Sequence, residues 1–154
     1  KSLLRQRMAG STLEQLTEEL FQAVMVDAPG DESAVRRVVL CSGKVYYDLV
    51  NGRTERKRDD VAILRVEQLY PFPKQQLIDV LARYTNLRSL RWVQEEPDNM
   101  GAWFFVEPRL RSIRPDHPVE YCGRPSSASP ATGSPESHKL EQKMILDAAF
   151  ERIE

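Results

Sequence analysis

Two short stretches, 38–41 (V-V-L-C) and 61–66 (V-A-I-L-R-V), are apolar almost without interruption, and they constrain the fold more than any other feature of the chain. A strand with one face in water alternates apolar and polar residues; a strand covered on both faces has no polar side to show. Such runs predict a mostly parallel sheet with helices packed on each side. A third run, Leu90 to Val93, breaks abruptly into Q-E-E-P-D-N-M-G-A-W at 94–103. There Pro97 restricts φ, while Asp98, Asn99 and Gly101 accept the backbone of a tight exit. Gln94, Glu95 and Glu96 are thereby expected at the carboxyl end of a strand, the edge where open α/β sheets meet ligands and partners.

Helical signals fill the intervals. After Ser42-Gly43-Lys44, the residues Val45, Tyr46, Leu49 and Val50 form a helical stripe, and the basic helix that carries Arg53 to Arg58 is expected to end at Asp60. Pro73 suits the first turn of a helix over 74–84, with Leu77, Ile78 and Leu81 on its apolar face. Residues 102–113 predict another helix, with Trp103, Phe104 and Val106 as bulk for a core or an interface and Pro108 either kinking it or lying near its start. Residues 119–122 read as the last strand. The small, Pro-rich 126–135 reads as a linker or surface loop, and Ser137 as the cap of a closing helix. At the front, residues 1–10 are an extended arm or a helix. Ser11 or Thr12 caps a short helix ending near Leu20, with Glu14 three residues after Ser11, and 21–26 reads as a strand.

The predicted organisation is an N-terminal arm, short helix and strand over 1–36, followed by an α/β domain over 37–154. The expected architecture is a three-layer αβα fold with a mostly parallel sheet of about five strands. A length of 154 residues suits one domain that buries roughly 70% of its unfolded surface. The formal net charge of -1 gives no electrostatic case for nucleic acid, and the 53–58 run is a solvated helix face. No apolar run reaches the ~18 residues of a membrane span. No signal peptide is evident, and the first residue, Lys1, raises the expectation of a piece of a longer chain. Cys41 and Cys122 read as buried thiols, with a disulfide left open by sequence alone.

Right-handed crossovers place all strand exits on one edge, which would gather Ser42-Gly43-Lys44, Glu67-Gln68, Gln94-Glu95-Glu96 and Gly123-Arg124. The Ser42-Gly43-Lys44 turn aims unpaired N–H groups of a helix start outward beside a hydroxyl and an ammonium. That is either an anion site or a helix cap with an exposed lysine. Its spacing is not that of a P-loop. Glu95 and Glu96 point to opposite sides of an extended chain. The expectation is that one accepts N–H bonds from the following turn and the other pairs with an arginine. His117 and His138 stand in no metal or triad spacing, and Ser127 and Ser129 lack a nucleophile-elbow context.

Five segments carry a family resemblance: K-S-L-L-R at 1–5, S-G-K-V-Y-Y-D-L at 42–49, V-E-Q-L-Y-P-F-P at 66–73, W-V-Q-E-E-P-D-N-M-G-A-W at 92–103 and Y-C-G-R-P-S-S-A-S-P-A-T-G at 121–133. In this order they resemble the C-terminal domain of the thiamine-dependent decarboxylating component of 2-oxoglutarate dehydrogenase and, less closely, its 2-oxoadipate relative. The resemblance implies a fragment of a large homodimeric enzyme of the transketolase-like superfamily, cytoplasmic in a bacterium or in the mitochondrial matrix of a eukaryote. In that family thiamine diphosphate and Mg2+ bind between the two preceding domains, and the parent passes a succinyl group to a lipoyl acyltransferase. The fragment alone is then expected to be inactive and to bind neither group. It further implies that this domain packs at the dimer interface and, in some members, holds acetyl-CoA or an adenine nucleotide as effector. Carried onto this chain, that role falls on Ser42, Gly43 and Lys44, with Arg65, Gln94 and Arg124 as neighbours. The alternative is a stand-alone nucleotide- or CoA-binding α/β module.

Overall fold

The computed structural model describes residues 3–17 and 20–152. Five strands form one sheet: β1 (Val24–Asp27), β2 (Arg37–Cys41), β3 (Val61–Val66), β4 (Ser89–Pro97) and β5 (Val119–Arg124), in the order β1-β3-β2-β4-β5. β2 through β5 run parallel, and β1 joins the edge of β3 antiparallel. Among the described residues there are five α-helices: α1 (Leu13–Thr17), α2 (Val45–Glu55), α3 (Lys74–Ala82), α4 (Trp103–Ile113) and α5 (Pro135–Ala149). This is the expected αβα architecture.

The unbroken apolar runs have the physical cause anticipated for them. In β2, Val38 and Leu40 face α3 and α4 together with Leu64, Leu90 and Trp92, meeting Leu77, Leu81, Val106 and Leu110. Val39 and Cys41 face the opposite layer with Ile63, Val93 and Cys122, meeting Leu49 of α2 and Ile145 of α5. Every residue of β2 is buried, so 38–41 are apolar on both faces, and the one polar residue, Arg37 at the strand's start, is held by Ser89 and Ala149 O.

Several local expectations are corrected. Of the two residues expected to cap α1, Thr12 takes the role, and its reciprocal partner is Gln15 in place of the Ser11–Glu14 spacing: Thr12 N donates to Gln15 Oε1 at 3.0 Å and Gln15 N to Thr12 Oγ1 at 3.2 Å. The predicted end of that helix falls partly on 18–19, outside the described residues. β1 begins at Val24, because Leu20 and Phe21 are exposed and pair with no strand. α2 stops at Glu55, and Lys57 turns the chain with φ 51° before Asp60. Ser134, not Ser137, caps α5. Its Oγ accepts from Ser137 N at 3.1 Å, and Pro135 occupies the first turn, where its missing N–H costs nothing. Pro108 lies inside α4, which runs on to Ile113 and forgoes the bond that residue 108 would donate to Phe104. The arm forms two short 3-10 turns, Leu3–Arg5 and Arg7–Ala9.

Candidate functional site

α2 leaves β2 toward one face of the sheet and α4 leaves neighbouring β4 toward the other. The sheet's topological switch point therefore lies between β2 and β4, where a crevice opens beyond the strand ends. The turn Ser42-Gly43-Lys44 is at that point. Gly43 has φ +70° with open space around it, a conformation that an L side chain rarely adopts. The turn closes with Tyr46 N donating to Gly43 O at 3.4 Å and Tyr47 N to Lys44 O at 3.1 Å. Lys44 makes no side-chain cap. Its ammonium instead meets Glu95 Oε1 at 2.8 Å and Asp48 Oδ2 at 3.5 Å. Partial burial works to lower its pKa, but the hydrogen bonds and charges of Glu95 and Asp48 outweigh that and raise it.

The other expected site residues stand on the same edge, each with its own partners. Arg65, opposite Cys41 in the register of β2 and β3, pairs with Glu67 at 2.8 Å, donates to Tyr47 Oη at 2.9 Å and lies 4.6 Å over the Tyr46 ring. Arg124 pairs with Glu141 of α5 at 2.7 Å and donates to Pro130 O at 3.1 Å. Gln94 is buried. Its Oε1 accepts from Trp92 Nε1 at 2.9 Å and Trp103 N at 3.2 Å, and its Nε2 donates to Pro97 O at 3.0 Å and Met100 O at 2.8 Å. The residue thus splints the β4 exit into the start of α4. Neither glutamate takes the role expected of it. Glu95 pairs with a lysine rather than an arginine, and the N–H of Trp103 beyond the turn is satisfied by Gln94.

Sequence reading missed Asp48, Tyr47 and Glu141, whose partners come from α5, β3 and β5, far along the chain. Gln142 Nε2 of α5 donates to Asp48 Oδ2 of α2 at 2.9 Å, a contact across 94 residues that no local pattern announces. Two hollows flank the crevice. One of about 390 Å3 is bordered by Ser42, Leu69, Tyr70, Glu96, Ala102 and Phe105. The other, of about 230 Å3, is bordered by Glu95, Arg124, Thr132, His138 and Glu141. The cysteines are free. Cys41 and Cys122 are separated by Val93 in the register of β2, β4 and β5, about 10 Å at two strand spacings and beyond disulfide reach.

Among the described residues no three His, Cys, Asp or Glu side chains gather as a metal site. A diphosphate–metal group therefore does not fit the strand-exit edge, since Asp48, Glu67, Glu95 and Glu141 are spread over separate ion pairs rather than gathered to hold a metal. No step is derived through thiamine diphosphate or Mg2+. Among the described residues no helix is long and apolar enough to cross a membrane.

A family model described as 2-oxoglutarate dehydrogenase C-terminal matches residues 10–150. The 2-oxoglutarate dehydrogenase E1 component of Cupriavidus necator is 46% identical over 155 residues, a match covering 99% of this chain and 16% of that protein. The Azotobacter vinelandii protein of the same name is also 46% identical, over 97% of this chain and 16% of its own length. A multifunctional 2-oxoglutarate metabolism enzyme of a Mycobacterium species is 42% identical over 97% of this chain and 12% of its own. The chain therefore spans less than a fifth of the length of these relatives. An αβα sheet whose strand exits carry four of the ordered motifs, with the family model and the relatives matched over nearly the whole chain, places it plainly: the chain belongs to the 2-oxoglutarate dehydrogenase C-terminal family.

Proposed function

We propose that this chain is the structural and regulatory C-terminal domain of an enzyme that decarboxylates 2-oxoglutarate with thiamine diphosphate and Mg2+ and passes the succinyl group to a lipoyl acyltransferase. The observation that carries this reading is the alignment of nearly the whole chain with only 16% of the Cupriavidus necator E1 component. The catalytic steps are assigned to the rest of such a parent. Leu13, Leu16, Leu20 and Phe21, all exposed, support packing against those remaining domains within a homodimer. Incubating this chain with 2-oxoglutarate, thiamine diphosphate and Mg2+ should release no carbon dioxide; turnover by the chain alone would overturn the assignment.

The regulatory part of the proposal rests on the switch-point turn. Ser42, Gly43 and Lys44 present a hydroxyl, an open glycine backbone and an ammonium at the start of α2, a combination suited to a phosphate of acetyl-CoA or an adenine nucleotide. Calorimetric titration with acetyl-CoA tests it. Saturable heat is expected, and the absence of heat at millimolar ligand counts against the effector role.

A further inference from the structure

The strand-exit edge carries its own anions. Lys44, Arg65 and Arg124 face Asp48, Glu67, Glu95 and Glu141, so three cations meet four carboxylates. An incoming phosphate finds no unpaired positive charge among these three and must displace a carboxylate to gain one. The pairs differ in how readily they open. The side chains of Arg65 and Arg124 are 13% and 12% exposed, and both are held further, by Tyr47 and by Pro130. Lys44 is 38% exposed and its partner Glu95 26%. An ammonium has three donors and no fixed fork, so exchanging one acceptor for another costs it little geometry.

Building on the effector reading above, we infer that Glu95 is an internal competitor for the oxyanion site at Lys44. Its carboxylate oxygen, 2.8 Å from Nζ, stands in the place that a phosphate oxygen would take. Binding exchanges the carboxylate for the ligand, while Arg65 and Arg124 keep their structural pairs. The displaced Glu95 borders the open hollow lined by Thr132 and His138 as well as by Glu96 and Glu141, where Thr132 and His138 can donate to it. Since Glu95 lies on β4, one residue beyond the Gln94 splint, release of this pair couples ligand binding to the exit of β4. The edge is thereby set for ligands whose anion is stronger than a half-exposed carboxylate.

Acetyl-CoA titrated calorimetrically into three forms of the chain tests this: the unaltered protein, Glu95→Gln, and Asp147→Asn. The last removes an equal charge from α5, where Asp147 pairs with Arg56 and Lys143. Glu95→Gln should tighten binding by about two- to fivefold, the reach of a partly exposed pair, while Asp147→Asn leaves it unchanged. Adding Lys44→Met to Glu95→Gln should abolish the gain. If the unaltered chain binds and Glu95→Gln binds equally or more weakly, the competitor role is refuted and the effector reading survives. Equal tightening by both single variants reduces the effect to net charge and also refutes it. If no form binds while their amide spectra remain those of folded protein, the effector reading itself falls, and this inference with it.

Discussion

The side-chain amide of Gln94 donates to the carbonyl oxygen of Met100 at 2.8 Å, closing the turn that leads from β4 to α4. The same side chain accepts from Trp92 Nε1 and Trp103 N. Replacing it with leucine takes the partner from the Trp92 indole N–H, the Trp103 N–H and the Met100 carbonyl. Each unsatisfied group costs about 1–3 kcal/mol, so Gln94→Leu should lose about 3 kcal/mol in urea unfolding. A loss below about 1 kcal/mol would show that the turn does not depend on this splint. Gly101→Ala should also destabilise, because its Cβ would stand 2.8 Å from Gln94 Nε2 at φ +69°.

The last helix is anchored by arginines from three places in the chain. Arg37 donates to Ala149 O at 3.3 Å and also bonds Glu151 O, Arg58 reaches Glu151 O at 3.3 Å and bonds Phe150 O, and Arg91 bonds Ala148 O. Arg37 is 2% exposed. Burial first, then the charges of Arg91 and Arg58, push its pKa down to about 10. These carbonyls are the negative end of α5, so removing them should cost more than removing one arginine. Deleting residues 148–154 is expected to destabilise by at least about 3 kcal/mol, whereas Arg37→Met, which also relieves like-charge repulsion, should cost less than about 2 kcal/mol. Chemical denaturation of the two variants decides; the reverse order would contradict the anchoring role.

Both thiols should be inert in the folded protein. Burial raises the pKa of Cys41, and burial pushes Cys122 up to about 11, which suppresses the reactive thiolate at neutral pH. A thiol-disulfide reagent should label neither residue in buffer and both in denaturant. Rapid labelling of one thiol without unfolding would contradict the packing of that layer.

Alkali should weaken the fold between about pH 10 and 12. Burial, with Asp98 behind it, pushes the Tyr121 hydroxyl up to about 12, while its hydrogen bonds reach Glu96 O at 3.0 Å and Arg124 O at 2.9 Å. A tyrosine raised in the folded state contributes stability that is complete below the unfolded pKa and lost as pH rises through the folded one. The urea midpoint should therefore fall across this range, and Tyr121→Phe should make the fall shallower. A residual fall remains, since Tyr46 and Tyr84 are raised as well, chiefly by burial. An unaltered slope in the variant would remove Tyr121 from this account.

The middle of the sheet was legible because β2 and β3 are buried on both sides, which erases the polar alternation and leaves a direct mark in 38–41 and 61–66. The edge residues were legible for the same reason: strand ends and turn residues sit where composition changes, as at Gln94 to Gly101. What the local pattern could not supply was partnership. Ser11 and Glu14 have the spacing of a cap, yet the geometry went to Thr12 and Gln15, an equivalent pair one residue later. Ser137 competed with Ser134 in the same way, and Pro135 decided for the latter. Gln94 reads as a polar surface group until the backbone folds around it, and Glu95 acquires Lys44 only when β2 and β4 become neighbours. Helix and strand periods are written within about ten residues, whereas ion pairs such as Lys44–Glu95 and Arg124–Glu141 depend on the assembled topology.

An effector site at the switch point between β2 and β4, worked through Lys44 and Glu95, would leave a signature at the backbone. Its most direct test follows the backbone amides by nuclear magnetic resonance as acetyl-CoA is added to the chain. The account predicts that Gly43, Lys44 and Glu95 shift together along one binding curve, with smaller movement at Gln94 and Arg124. If these amides stay fixed while the spectrum remains that of the folded protein, the claim is contradicted.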